Sequence, residues 1–194
     1  MNKQSILAHL LAAGIDTAVF ETQIIIEDVL PENIDSVVAR RIAGEPLLRI
    51  LGYRDFWKNR FYMSQDTLEP RPDTETLIES VLKFGNAPKR ILDLGTGTGC
   101  ILLSLLDEYP DATGVGVDLS LGALQTAQKN ADRLELGHRV SFIQSNWLDS
   151  VDGVFDLIVS NPPYIPSAVI LDLDENVKNF DPILALDGGN DGLA

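Results

Sequence analysis

Apolar residues recur at three- and four-residue spacing along the first 45 positions, and that period predicts short amphipathic helices. Ile6, Leu7, Leu10 and Leu11 form one stripe, with Asn2 placed to cap its start and Gly14 to end it. A second helix is predicted from Thr17 to about Leu30, closed by Pro31. A third carries Ile34, Val37, Val38 and Ile42 and stops at Gly44. Next, Arg49-Ile50-Leu51-Gly52 and Arg60-Phe61-Tyr62-Met63 read as a β-hairpin around Lys58-Asn59. Pro70-Arg71-Pro72 is a stiff connection, and Asp73 is placed to cap a helix that runs to about Phe84.

From residue 89 the pattern changes to apolar strand-like runs separated by helical ones. Arg90–Leu94, Thr113–Val117, Val140–Gln144 and Phe155–Ser160 read as strands. Cys100–Asp107 and about Leu121–Leu134 read as helices. Such alternation predicts an α/β fold with a parallel sheet and right-handed crossovers. After Ile165 only one short helix is expected, at about Leu171–Lys178. The organisation read from this is a helical domain over 1–47, a hairpin and linker over 48–72, and an α/β domain over 73–194 whose sheet is incomplete.

Bulk properties narrow the partners. The 194 residues are 45% hydrophobic, enough to bury a core, and carry a net charge of −14. Residues 1–88 hold 9 Lys and Arg against 13 Asp and Glu; residues 89–194 hold 6 against 16. That balance argues against a broad basic face for nucleic acid. The single cysteine, Cys100, has no intrachain disulfide partner, and no cysteine–histidine spacing suggests zinc. Ile24-Ile25-Ile26 runs straight into Glu27-Asp28, so no segment is long enough to span a bilayer, and no signal-peptide pattern opens the chain. A reduced cytoplasm is the expected location.

Two loops carry the candidate chemistry. The first is Asp93-Leu94-Gly95-Thr96-Gly97-Thr98-Gly99, a strand end followed by a glycine loop and a helix, which brings backbone close to a ligand. It departs from the dinucleotide fingerprint, because Cys100 and Leu102 stand where that pattern needs glycine. The following strand ends in Asp118, 25 residues on from Asp93, where a carboxylate can accept both hydroxyls of a ribose. Trp147, after the third strand, is placed to stack on an adenine. Cys100 reads as a packing residue rather than a nucleophile, and His9 and His138 have no triad partners in sequence.

The second loop is Asn161-Pro162-Pro163-Tyr164, directly after the fourth strand. Each proline disfavours helical geometry in the residue before it, so Asn161 and Pro162 are both held extended. The side-chain carbonyl of Asn161 and the backbone carbonyl of Pro162 can accept the two hydrogens of one –NH2 group, and Tyr164 can lie flat against a planar group. A carboxamide nitrogen is a weak nucleophile because its lone pair is delocalised. A site that alkylates one works mainly by alignment at roughly 3–3.5 Å.

With both loops in view, the chain resembles the HemK/PrmC family of peptide chain release factor glutamine methyltransferases. Beyond the loops, the resemblance rests on Arg41-x-x-x-Gly44-Glu45-Pro46, on Pro70-Arg71-Pro72-Asp73-Thr74-Glu75, and on Pro182-x-x-Ala185-Leu186-x-Gly188-Gly189-x-Asp191-Gly192. It implies a Rossmann-like fold dependent on S-adenosylmethionine (AdoMet), and an N-terminal domain that recognises the release factor. The implied reaction is methyl transfer to N5 of the glutamine in a Gly-Gly-Gln loop. By position, Gly95, Thr96, Gly97, Thr98, Gly99, Asp118, Trp147 and Asn161 would contact AdoMet, and Asn161, Pro162, Pro163 and Tyr164 would hold the glutamine amide. Three residues depart from the family pattern: Glu69 where an apolar residue is usual, Asn146 for aspartate, and Asp181 for glutamate. The family continues with further strands that complete a seven-stranded sheet, so the resemblance also implies a C-terminally truncated chain with an exposed sheet edge. Two other functions fit the same loops: an adenine-N6 methyltransferase acting on nucleic acid, and a non-catalytic AdoMet-binding remnant.

Overall fold

The structure is a computed structural model, and it describes residues 1–193. The chain divides into two compact units, Met1–Gly52 and Tyr53–Ala194.

In the first unit, helices α1 (Lys3–Ala12), α2 (Ala18–Asp28), α3 (Ile34–Ile42) and α4 (Leu47–Leu51) enclose a small apolar core. The Asn2 side chain caps α1 as its position predicts, accepting from the Ser5 N–H at 2.9 Å. Ile6 and Leu10 are fully buried, whereas Leu11, expected on the same stripe, is exposed. Arg41 is held by Glu21 at 2.7 Å, and the hydroxyl of Thr17 donates to the other oxygen of that carboxylate. The first hairpin strand expected at Arg49–Gly52 is instead the end of α4. Pro46 presets its start, and Gly52 ends it at φ +74°, a left-handed turn that breaks any strand here.

The hairpin lies a few residues on and belongs to the second unit. It pairs β1 (Tyr53–Phe56) with β2 (Asn59–Tyr62), so Trp57 and Lys58 make the turn. Trp57 has φ +55°, an unusual value for a bulky residue. Two acids compensate: Glu75 accepts from the Trp57 backbone N–H at 2.8 Å and Glu108 from the indole N–H at 2.6 Å. Pro72–Thr74 forms a single 3-10 turn ahead of α5 (Glu75–Lys83), and the Asp73 side chain does not cap it as expected. The hydroxyl of Thr76 donates instead to the Asp73 carbonyl at 2.6 Å.

The rest of this unit alternates as the apolar runs predict. It comprises β3 (Arg90–Leu94), α6 (Cys100–Glu108), β4 (Thr113–Asp118), α7 (Leu121–Arg133), β5 (Val140–Gln144) and β6 (Leu157–Ser160). The sheet is parallel, in the order β5-β4-β3-β6. Strand β6 starts later than expected because the Asp156 carboxylate accepts from the N–H groups of Lys89 and Arg90. Among the described residues β6 pairs only with β3, and Ile158 is 57% exposed on this edge. Beyond Ile165 come a 3-10 segment, α8 (Glu175–Phe180) and a second 3-10 turn. Leucines of α6 fill the core together with Phe56, Phe61 and Ile78.

Two buried polar residues shape the end of the sheet where the loops lie. Asn130 on α7 is fully buried and makes three bonds: it accepts from the Tyr62 N–H and donates to the carbonyls of Tyr62 and Thr98. It thus ties the hairpin to the glycine loop. Asp93, also fully buried, accepts from the Thr96 hydroxyl at 2.7 Å, and its other oxygen has no protein partner. Burial pushes its pKa up to about 7, aided by the charge of Asp118 and opposed by the Thr96 bond.

Replacing Asn130 by alanine removes three bonds to backbone groups, one buried and two part-buried, so urea unfolding of the Asn130→Ala variant should show a loss of about 2–4 kcal/mol. The Asp93 carboxyl binds its proton more tightly folded than unfolded. The cost of ionising it in the fold is therefore absent below about pH 4, and stability falls as pH rises toward about 7. Melting curves at a series of pH values should show Asp93→Asn gaining on the parent chain across that window, by an amount on the order of 2–4 kcal/mol at its upper end.

Candidate functional site

The pairing of β3 with β6 decides where the two loops meet. Leu94 lies opposite Ser160, so parallel strands deliver the glycine loop and the Asn-Pro-Pro-Tyr turn to the same end of the sheet. The Ser160 hydroxyl donates to the Leu94 carbonyl at 2.7 Å and fastens the two strand ends together. Between the loops lies a cavity of about 250 Å³. Its wall includes Gly95, Thr96, Gly97, Thr98, Asp118, Trp147, Asn161 and Pro163, which brings most of the expected site residues together.

The glycine loop turns tightly because the N–H groups of Gly95 and Thr96 both donate to the Val117 carbonyl at 2.8 Å. Gly95 and Gly97 sit at φ +72° and +54°, and a Cβ on either would meet no protein atom within 4 Å. Gly99 differs. A Cβ there would press on Leu103 and Ala127 at 3.1 and 3.3 Å, and the residue is absent from the cavity wall. A side chain at this position would therefore meet the core.

Asp118 ends β4 and faces the same cavity. One of its oxygens accepts from the Gly97 N–H and the other from the Ser120 N–H, both at 2.9 Å. Each oxygen retains a second lone-pair direction for a ligand. Partial burial raises its pKa, and the backbone N–H bonds from Ser120 and Gly97 oppose that rise. Trp147, at φ +47° in the left-handed region, also lines the cavity. Cys100 is buried, and desolvation drives its thiol up to about 12, so it packs rather than reacts.

At the other end, Asn161 and Pro163 face the cavity, whereas Pro162 and Tyr164 lie outside its wall. Tyr164 is 69% exposed, so its ring is open to an incoming molecule rather than packed in the cavity. The C-terminal motif holds this turn from behind. Ile165 N–H donates to the Leu186 carbonyl, Gly188 N–H to the Ile165 carbonyl, and Ser167 N–H to the Gly189 carbonyl. Gly188 and Gly192 fit only without side chains, because a Cβ on either would reach 2.8 Å from the Pro163 carbonyl oxygen or 2.5 Å from that of Tyr164.

Sequence reasoning missed several wall residues. Asp66, Ser120, Leu184, Ala185 and Asp187 all line the cavity. The signal for the last three was the Pro182-to-Gly192 motif, which carried a resemblance but no assigned role. Two of the departures from the family pattern have partners: Glu69 is ion-paired with Arg54, and Asp181 with Arg71 at 2.6 Å. Asn146 lines the cavity next to Trp147 and donates weakly to Asp149 at 3.4 Å. No group of histidine, cysteine and carboxylate side chains suited to a metal occurs among the described residues, and no helix there is long and apolar enough to cross a membrane.

Comparison with known proteins agrees with this geometry. Residues 64–175 match the family model described as the methyltransferase small domain. Release factor glutamine methyltransferase from Rhodospirillum rubrum is 53% identical over 85% of this chain and 52% of its own length. Its counterpart from Agrobacterium fabrum is 45% identical over 96% of this chain and 73% of its own length. The chain therefore spans from about half to about three quarters of these relatives. Among solved structures, the catalytic domain of hMettl16 in complex with the MAT2A 3'UTR hairpin 6 superimposes with a TM-score of 0.55. It is 18% identical and covers 80% of this chain and 58% of its own, a likeness of fold alone. By its match to the methyltransferase small domain and its 45–53% identity to these relatives, the chain belongs to the release factor glutamine methyltransferase family.

Proposed function

We propose that this chain binds AdoMet above its glycine loop and directs the methyl group to the side-chain nitrogen of the glutamine in the Gly-Gly-Gln loop of a peptide chain release factor. The observation that carries the reading is the shared cavity. Asn161 and Pro163 face the same space as Gly95, Gly97 and Asp118. The relatives' name supplies the substrate class.

The residues present suit the cofactor. Open space over Gly95 and Gly97 admits a chain of atoms close to backbone, and Asp118 has lone pairs left for ribose hydroxyls. Trp147 offers an indole face to a purine. Carboxylates of Asp66, Asp118 and Asp187 on the wall favour a cationic ligand over a neutral one. When bound, AdoMet supplies a methyl carbon activated by a positive sulfonium.

The remaining work is positional. The Asn161 side-chain oxygen and the Pro162 carbonyl accept the two N–H hydrogens of the glutamine amide and so fix the direction of its nitrogen. Such alignment is worth at most about 7–11 kcal/mol in favourable systems. Tyr164, exposed at the mouth, stacks on the incoming loop. The helical unit Met1–Gly52 serves release-factor recognition, and the reaction takes place in the cytoplasm, where translation ends.

The test is transfer of tritium from labelled AdoMet to a release factor and to its Gln→Ala variant, with duplex and single-stranded DNA and RNA as parallel substrates. Label should appear on the release factor and vanish with the variant; label on nucleic acid alone would overturn the reading. In the same assay Asn161→Ala should lose at least about a hundredfold in turnover. Its AdoMet affinity by calorimetry should change less than about threefold. Asp118→Ala should do the reverse, weakening AdoMet by roughly 10- to 100-fold, as loss of charge-assisted bonds predicts.

A further inference from the structure

An asparagine carboxamide has nearly the same shape with its oxygen and nitrogen exchanged, and only one orientation can accept an N–H from a substrate. Something must hold Asn161 in that orientation. Its Nδ2 lies 3.2 Å from the hydroxyl oxygen of Thr74, 87 residues earlier in the chain, and both residues line the cavity. We propose that Thr74 is a positioning residue for the transfer step. By accepting from Asn161 Nδ2, its hydroxyl turns the Asn161 carbonyl oxygen toward the substrate amide. The inference rests on the reading of Asn161 given above and adds a second residue to it.

The surroundings of Thr74 are built to keep it still. It ends the Pro72–Thr74 turn, where Pro72 fixes φ at the first position, and its own N–H donates to the Arg71 carbonyl at 3.0 Å. Arg71 in turn reaches across 110 residues to Asp181, whose side chain is 5% exposed, at 2.6 Å. Next along, Glu75 is engaged with the Trp57 N–H. The turn is therefore fastened on both sides, which keeps the Thr74 hydroxyl oxygen within reach of Asn161. A flipped Asn161 would point its NH2 group at the substrate's own NH2. That orientation forfeits the bond to the substrate, while the Thr74 hydroxyl can rotate and donate to the flipped oxygen; Thr74 thus fixes the place and plane of the carboxamide, and the substrate's own N–H hydrogens select its face.

Two readouts test this, on the chain as it stands. The first needs no substrate: the Asn161 side-chain amide is identified in a ¹⁵N spectrum by its disappearance in Asn161→Ala, and its hydrogen exchange with water is measured. Exchange should be slower in the parent chain and in Thr74→Ser than in Thr74→Val, which keeps the shape but removes the acceptor. Equal exchange in all three would overturn the hydrogen bond and the proposal with it. The second readout is turnover on the release factor. Thr74→Val should lower kcat by about 10- to 100-fold with AdoMet affinity unchanged, and Thr74→Ser should recover to within about threefold of the parent. An unchanged kcat in Thr74→Val alongside an inactive Asn161→Ala would refute the role of Thr74 alone. A fully active Asn161→Ala would refute the reading of the tetrapeptide, and this inference with it. A parallel fall in AdoMet affinity would show that Thr74 merely shapes the cavity, which also overturns the proposal.

Discussion

Parallel pairing of β3 with β6 is the constraint on which the site depends. Residues 94 and 160 are far apart in sequence, and neither loop after them forms a pocket by itself. Pairing Leu94 opposite Ser160 puts both loop starts at one end of the sheet, pointing the same way. A parallel arrangement is what makes this possible, since antiparallel neighbours would send the two loops to opposite ends. The Ser160–Leu94 bond and the return of the C-terminal motif behind Pro163 and Tyr164 then remove the remaining freedom.

Much of the rest of the second unit is support for that juxtaposition. The Pro70-to-Glu75 segment makes long-range contacts from three of its six positions: Arg71 to Asp181, Thr74 to Asn161, and Glu75 to the strained turn at Trp57. Asn130 joins the hairpin to the glycine loop through Tyr62 and Thr98. Several of these ties run between segments more than 60 residues apart, so the site depends on the whole unit folding rather than on either loop. Asp93 is the exception, since a fully buried carboxylate with one unpartnered oxygen works against stability. It lies directly under the ligand loop, a place where strain is commonly retained for function.

The alternation of apolar runs made the α/β unit legible, strand by strand, because a buried parallel strand has a distinct composition and its helices a distinct period. The hairpin was found but misplaced by several residues. Two β-permissive runs flanked the turn, and only the backbone of Pro46 and Gly52 shows that the first is helical. The two loops were legible from residue type, since glycine and proline act through backbone geometry that the sequence itself dictates. Residue type left the packing of Gly99 against Leu103 and Ala127 unread, because that contact forms only once α6 and α7 are in place. Thr74, Asn130 and the wall residues near Asp187 were not legible as site residues. Their roles arise from side chains meeting across the fold, and no local pattern encodes such a meeting.

The account stands on where a carboxamide sits relative to the glycine loop. A crystal structure with S-adenosylhomocysteine and a Gly-Gly-Gln peptide measures this directly. The account predicts the ribose on Asp118, the sulfur over Gly95 and Gly97, and the glutamine nitrogen within hydrogen-bonding reach of the Asn161 side-chain oxygen. A glutamine side chain bound elsewhere, with the Asn161 oxygen turned away from it, would contradict the account.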